Sequence, residues 1–143
     1  MTSEGDVLTE PTRILIVDAY GHSREGLRAS LRGGGCVVET AAGSWEAISK
    51  MREGRFRAAI IDLELPPAHG VSGWDLARVF RAFQPAAAII LVTAEWRPEF
   101  REEARRLQRA QLLEKPINPG ELRAIVRTLH SELEAPDAAS NSR

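Results

Sequence analysis

The stretch Arg57-Ala-Ala-Ile-Ile-Asp-Leu-Glu-Leu-Pro-Pro67 places a carboxylate, Asp62, directly after a short apolar run. A continuous apolar run that stops at proline is typical of a strand buried on both faces of a parallel sheet. We therefore predict a strand over Ala58–Ile61, with Asp62 at its carboxyl end. In open α/β sheets, ligands gather at that edge because the strand ends and the loops after them form a crevice.

Two other apolar runs end in the same way. Ile14–Val17 leads into Asp18, and Ile89–Val92 leads into Thr93. One Asp or Thr after a strand most simply caps the next helix. Three such residues at one edge of a sheet instead predict a shared site.

The hydrophobic pattern alternates between strand and helix five times along the chain. This predicts an α/β fold of the flavodoxin-like, doubly wound (βα)5 class, with a five-stranded parallel sheet in the order 2-1-3-4-5. The expected strands are Arg13–Val17, Cys36–Glu39, Ala58–Ile61, Ala88–Val92 and Gln111–Leu113. The expected helices are one capped by Ser23 and ending near Arg32, one capped by Ser44 and closed by Gly54, one from Trp74 to Phe83, one from Pro98 to Leu107, and one after Pro119. One domain over residues 13–133 follows, between flexible segments at 1–12 and 134–143.

Composition narrows the functional class. The chain has 143 residues, 43% hydrophobic and 27% charged, as in a soluble globular domain. Its formal charge of -1 predicts no direct binding to nucleic acid or to an anionic membrane. No apolar run reaches the roughly 18 residues of a membrane span, and there is no signal-peptide core, so a cytoplasmic location is expected. The single cysteine, Cys36, is predicted to be a small buried residue.

Lys115 adds a cation to the predicted edge, because it follows the fifth strand. Asp18, Asp62, Thr93 and Lys115 would then face one crevice. Two carboxylates, a hydroxyl and an ammonium suit phosphoryl chemistry, which depends on positioning and charge neutralisation. A carboxylate can act as the nucleophile and form an acyl phosphate, with a divalent cation held by the acids.

The sequence resembles the receiver domain of two-component response regulators over about Arg13–Leu129. The matching stretches are Ile14-Leu-Ile-Val-Asp18, Ile60-Ile-Asp-Leu-Glu-Leu-Pro66, Ser72-Gly-Trp-Asp-Leu-Ala77, Ile89-Ile-Leu-Val-Thr-Ala94 and Glu114-Lys-Pro116. The resemblance implies that Asp62 is the phosphoacceptor, Thr93 the switch hydroxyl and Lys115 the phosphate-binding lysine. It also implies a cis peptide bond before Pro116, a form that is almost confined to proline.

The chain departs from the receiver pattern at the expected magnesium site. Receivers usually carry two adjacent acids after the first strand, whereas this chain reads Asp18-Ala19. The implied ligands are Asp62, Asp18 through water and the backbone carbonyl of Glu64. Because a methyl group cannot coordinate a cation, we expect Mg2+ to bind weakly.

A second departure concerns signal output. Leu112 stands at the aromatic switch position, so coupling of Thr93 to a swinging ring is lost. The loop from Asp62 to Gly73 is about three residues longer than in typical receivers and contains His69. Trp96 and the Arg-rich helix after it are candidates for a partner surface, against the simpler interpretation that Trp96 packs on its own helix. His22, His69 and His130 are expected to be solvated.

Three functional hypotheses follow. In the first, a single-domain receiver accepts a phosphoryl group on Asp62 from a histidine kinase or phosphotransfer protein. With no output domain expected after Leu133, it would signal by contact with a downstream protein, and a second copy of the chain is a further candidate partner. Such a protein is not an enzyme beyond catalysing its own aspartyl phosphorylation and dephosphorylation. The alternative is a pseudo-receiver, a phosphorylation-independent interaction module.

The third hypothesis, a phosphatase of the haloacid-dehalogenase type, is rejected on two positions. Such enzymes need a second Asp two residues after the nucleophile, where this chain has Glu64. They also need acids after the lysine, where Ile117 and Asn118 follow Pro116.

Overall fold

The computed structural model describes residues 11–67 and 70–134, with only the backbone for residues 130–134. His69, the side chain of His130 and the terminal segments 1–10 and 135–143 lie outside the described parts.

Five strands and five helices alternate along the described chain. The strands are β1 (Thr12–Val17), β2 (Cys36–Ala41), β3 (Ala58–Asp62), β4 (Ala88–Thr93) and β5 (Ala110–Glu114). The helices are α1 (Gly21–Ser30), α2 (Ser44–Glu53), α3 (Gly73–Phe83), α4 (Pro98–Leu107) and α5 (Pro119–Glu134). All strand pairs are parallel and the order is β2-β1-β3-β4-β5, which confirms the predicted flavodoxin-like fold.

The sheet lies between two helical layers because successive strand residues point to opposite faces. Leu15 and Val17 of β1 pack with residues of α2, α3 and α4 in one core cluster. Ile14 and Ile16 pack with residues of α1 and α5 in the other. The central strands are therefore buried on both sides, as their unbroken apolar runs predict.

Several predicted boundaries are wrong by a few residues. β1 begins at Thr12, which is buried, one residue before the predicted start at Arg13. α1 begins at Gly21 and not after Ser23, because the Ser23 hydroxyl donates to the Asp18 side chain instead of capping the helix. Ser44 is the first residue of α2 and Gly43 its N-cap.

One exposure prediction is also wrong. Cys36 is only half-buried, because β2 is an edge strand. Phe83, at the last turn of α3, is 46% exposed because the packed face of the helix ends at Phe80. His22 is exposed, as expected.

Candidate functional site

The register of the parallel strands brings four polar residues to the carboxyl edge of the sheet. Val17 pairs with Ile61, so Asp18 and Asp62 follow neighbouring positions on β1 and β3. Beyond the strand ends, Leu63 N donates to Val92 O (2.8 Å) and Lys115 N donates to Thr93 O (2.8 Å). These bonds extend the ladder by one step and fix where the functional side chains leave the backbone.

Asp62 is buried at the end of β3, with 2% of its surface exposed. Its Oδ2 accepts a hydrogen bond from Lys115 Nζ at 3.0 Å, and its Oδ1 accepts one from Glu64 N at 2.9 Å. Burial raises the pKa of Asp62, and the nearby Asp18 charge adds to this, while the two hydrogen bonds and the Lys115 charge oppose it. Asp62 is thus a poorly solvated carboxylate that two hydrogen bonds fix in place beside a cation.

Gly73 allows α3 to begin directly against this strand end. A Cβ at Gly73 would lie 2.9 Å from Asp62 O and 3.0 Å from Leu63 Cα, which are both backbone atoms. The start of α3 is fixed by a capping box in which Asp75 N donates to Ser72 Oγ and Ser72 N donates to Asp75 Oδ2, each at 3.1 Å. Any side chain at position 73 would displace the backbone that carries Asp62.

Asp18 lies at the end of β1 and is 1% exposed. Its Oδ1 accepts from Tyr20 N at 2.9 Å and its Oδ2 accepts from Ser23 Oγ at 2.5 Å. Ala19 supplies no polar side-chain atom next to it. The edge therefore holds two buried carboxylates.

The oxygen donors at this edge fit a magnesium ion. Within residues 11–67 and 70–134, no three Cys, His, Asp or Glu side chains converge as a metal-binding group. Mg2+, however, is commonly held by one or two carboxylates while it keeps several waters. The charge of Asp18 helps to raise the pKa of Asp62, so a cation between these two carboxylates would relieve their repulsion.

Thr93, at the end of β4, is completely buried. Its hydroxyl donates to Glu64 Oε2 at 2.6 Å and accepts from Glu95 N at 3.0 Å. The next backbone amide, Ala94 N, donates to Glu64 Oε1 at 2.9 Å. Sequence reasoning assigned Glu64 only through its backbone carbonyl and missed this side chain, although an acid two positions after Asp62 was a signal that its carboxylate belongs to the same edge.

Lys115 contacts the carboxylates of both Asp62 and Glu64. Its Nζ lies 3.0 Å from Asp62 Oδ2 and 3.7 Å from Glu64 Oε1. Burial alone would lower the pKa of Lys115, but the hydrogen bond to Asp62 and the charges of Asp62, Asp18 and Glu64 raise it overall. Lys115 is therefore a permanent cation at neutral pH. The peptide bond between Lys115 and Pro116 is cis.

Leu112 and Trp96 lie apart from these contacts, on the α4–β5 side. Leu112 is half-buried and Trp96 is 39% exposed. The Arg101 guanidinium lies 5.4 Å from the centroid of the Trp96 ring, a cation–π distance. Both residues line a shallow surface cavity of about 390 Å3 together with residues of α4 and β5. Trp96 thus contacts Arg101 of α4 and is also partly exposed.

None of the helices in residues 11–67 and 70–134 has the length and apolar character needed to cross a lipid bilayer.

Comparison with known proteins shows the family of this chain. The response regulator receiver domain family matches residues 14–127. A response regulator receiver protein of Anaeromyxobacter sp. (strain Fw109-5) is 34% identical over 105 residues, covering 73% of this chain and 43% of the relative. The transcriptional regulatory protein CusR of Escherichia coli (strain K12) is 32% identical over 117 residues, covering 82% of this chain and 50% of the relative. The chain spans about half the length of these curated relatives.

Solved structures show the same fold. A CheY-like receiver domain protein from Methanospirillum hungatei JF-1 has a TM-score of 0.77 at 27% identity, covering 87% of this chain and 98% of the other. A response regulator from Burkholderia pseudomallei, solved with a phosphorylated aspartic acid, a calcium ion and citrate, has a TM-score of 0.73 at 25% identity, covering 91% and 75%. The family match over residues 14–127 and the shared fold show that the chain belongs to the response regulator receiver domain family of two-component signalling.

Proposed function

We propose that this receiver accepts a phosphoryl group on Asp62 from a histidine kinase or a phosphotransfer protein. The observation that carries the proposal is the buried Asp62 carboxylate with Lys115 Nζ at 3.0 Å, at a strand edge shared with Asp18 and Thr93. A buried carboxylate beside a fixed cation is positioned to react as a nucleophile while the charge of its product is neutralised.

The transfer would proceed by in-line displacement at phosphorus. A carboxylate oxygen of Asp62 forms the new P–O bond as the P–N bond to the donor histidine breaks, and the imidazole leaves after taking up a proton. With acetyl phosphate as donor, the P–O bond to acetate breaks and acetate leaves. Lys115 stays protonated throughout and offsets the negative charge of the acyl phosphate.

Magnesium would be held by Asp62, by Asp18 through water and by the backbone carbonyl of Glu64. When bound, the ion shields the incoming phosphoryl oxygens from the two carboxylates. Ala19 leaves this site one ligand and one charge short of the usual receiver arrangement, so its affinity for Mg2+ is expected to be low.

The signal would pass to a downstream protein through surface contacts near Trp96, in the cytoplasm. Leu112 has no ring to swing, so the coupling runs from Thr93 through the segment Ala94–Pro98. The partial exposure of Trp96 and the cavity that it lines with Leu112 support this choice of surface. A second copy of the chain is another candidate partner.

The alternative function is a pseudo-receiver that binds partners without phosphorylation. The observation that favours it is Ala19, because an alanine beside Asp18 removes a direct cation ligand from a site whose chemistry depends on charge neutralisation.

Incubation with acetyl phosphate and Mg2+, followed by intact-mass spectrometry, separates the two functions. The proposal predicts that the wild type gains the mass of one phosphoryl group and that Asp62→Asn gains nothing. Lys115→Ala should gain it more slowly, because the acyl phosphate loses its cation. If the wild type stays unmodified under conditions that phosphorylate a typical receiver, the result favours the pseudo-receiver function.

A further inference from the structure

The Glu64 carboxylate occupies a binding site for an anion. Three donors point to it from two strand ends: Thr93 Oγ1 at 2.6 Å, Ala94 N at 2.9 Å and Lys115 Nζ at 3.7 Å. A hydroxyl, a backbone amide and an ammonium together form an anion-binding set. Glu64 reaches them by folding back along the turn after β3, whose start is held by the Glu64 N bond to Asp62 Oδ1.

A phosphoryl group on Asp62 needs the same donors. Lys115 Nζ already bridges the Asp62 and Glu64 carboxylates, at 3.0 and 3.7 Å. The Asp62 and Glu64 carboxylates thus share Lys115 as a partner. A phosphoryl group on Asp62 would be a second anion at this lysine, so it would repel the Glu64 carboxylate and compete with it for the Thr93 and Ala94 donors.

We propose that the Glu64 carboxylate is an internal stand-in for the phosphoryl group, so that phosphorylation exchanges one anion for another at Thr93 and Ala94. Before phosphorylation, the Glu64 carboxylate binds Thr93 and Ala94 in the segment after β4. The phosphoryl group must displace this carboxylate. This inference rests on the proposed phosphorylation of Asp62.

The exposure of Glu64 makes the exchange feasible. Its side chain is 36% exposed, whereas Thr93 is fully buried, so Glu64 can swing into water while the donors stay in place. The ionised carboxylate regains full hydration outside the site, and the vacated donors pass to the incoming anion. Phosphorylation therefore changes which anion binds Thr93 and Ala94, from the Glu64 carboxylate to the group on Asp62.

The test compares the 143-residue chain with its variants Glu64→Ala and the near-isosteric Glu64→Gln. The control is Glu95→Gln, which removes one negative charge from the segment after β4, beside Thr93 and Ala94. The Glu95 side chain pairs with Arg97 at 3.8 Å, and only the backbone of Glu95 contacts Thr93. The first measurement is the hydrogen-exchange rate and NMR chemical shift of the Ala94 amide without any additive. The second is the affinity for beryllofluoride in the presence of Mg2+, since beryllofluoride forms a phosphoryl-like adduct on a carboxylate.

We expect the Ala94 amide to exchange at least about tenfold faster in Glu64→Ala than in the wild type, because its acceptor is lost. Beryllofluoride should bind about tenfold more tightly to Glu64→Ala, with Glu64→Gln between the two, since one charge-assisted hydrogen bond no longer has to be broken. Glu95→Gln should match the wild type in both measurements.

An Ala94 amide that is unchanged in both Glu64 variants would overturn the inference, even if Asp62 is phosphorylated normally. An equal gain in affinity for Glu95→Gln would also overturn it, because charge alone would then explain the effect. If no variant binds beryllofluoride, the proposed phosphorylation fails instead, and the Ala94 amide still decides the role of Glu64.

Discussion

At the level of single residues, two opposing effects meet at Asp62. Burial and the Asp18 charge disfavour the ionised form, whereas Lys115 and the Glu64 amide favour it, and the pKa of Asp62 is raised overall from its ordinary value of 3.8. The folded protein therefore holds the Asp62 proton to higher pH than the unfolded chain does. Ionisation of Asp62 lowers the free energy of unfolding, and this loss of stability grows as pH rises from 3.8 through the raised pKa.

Asp62→Asn is accordingly expected to be more stable than the wild type at pH 7, by about 1 kcal/mol. The amide keeps the shape of the side chain, and Lys115, whose side chain is 28% exposed, stays solvated and near Glu64. Urea unfolding between pH 7 and pH 4 measures the free energies of unfolding of the variant and the wild type. The difference between them should become smaller as pH falls towards 3.8. An Asn variant that is less stable at pH 7 would show that the Lys115 pair outweighs the burial of the charge.

Ala19→Asp is expected to bind Mg2+ about tenfold more tightly than the wild type, because it restores a ligand and a negative charge. Tyr20→Asp is the matched control, since it adds the same charge one residue further on at a position that is 62% exposed. Isothermal titration calorimetry gives both affinities. If Ala19→Asp and Tyr20→Asp bind Mg2+ equally well, position 19 is not a ligand position.

The residues that sequence reasoning missed are those whose role depends on a turn. The positions of Asp18, Asp62, Thr93 and Lys115 follow from strand ends, which apolar runs mark clearly. The contact from Glu64 to Thr93 depends instead on how the chain folds back after β3, and no periodic pattern encodes that turn. The Ser23 hydroxyl was assigned to a helix cap for the same reason, since its real acceptor, Asp18, lies on another element.

At the level of elements, Arg81 ties the end of α3 to its neighbours. Its guanidinium donates to Ala87 O (2.6 Å) before β4, and to Leu107 O (2.9 Å) and Gln108 O (2.6 Å) at the end of α4. It also donates to Gln84 O at 3.0 Å. These carbonyls lie at the ends of α3 and α4 and just before β4, so one side chain links several connections.

Arg81→Ala should therefore lower the free energy of unfolding by about 2 to 4 kcal/mol, because partly buried carbonyls lose a charged donor. Arg78→Ala is the control on the same helix. Its guanidinium is 53% exposed and pairs at the surface with Asp75 and Glu103, so its loss should cost less than about 0.5 kcal/mol. Equal losses in a denaturant titration would contradict the role given to Arg81.

Elements buried on both faces were easier to predict than elements at the margins. β1, β3 and β4 are nearly all apolar and were predicted to within one residue at each end. β2 and β5 are edge strands with partly exposed residues. β5 was also predicted to within one residue at each end, whereas β2 extends two residues beyond its predicted end at Glu39. Exposed strand residues carry little hydrophobic signal, so their ends are set by pairing with the neighbouring strand.

At the level of the whole molecule, the order of strands and helices alone predicts the topology. Short connections between parallel strands and helices leave few ways to cover both faces of one sheet. That topology places the ends of β1, β3, β4 and β5 along one edge and makes four distant residues into one site. The topology does not determine which side chain accepts hydrogen bonds from Thr93 and Ala94 at that edge. In this protein it is Glu64.

The central claim is that Asp62 is the phosphorylated residue. The most direct test treats the protein with acetyl phosphate and Mg2+, then with sodium borohydride, which reduces an acyl phosphate to an alcohol, and maps the change by peptide mass spectrometry. We expect a reduced residue at position 62 in the wild type and none in Asp62→Asn. Reduction at Asp18 or Glu64, or labelling that persists in Asp62→Asn, would contradict it.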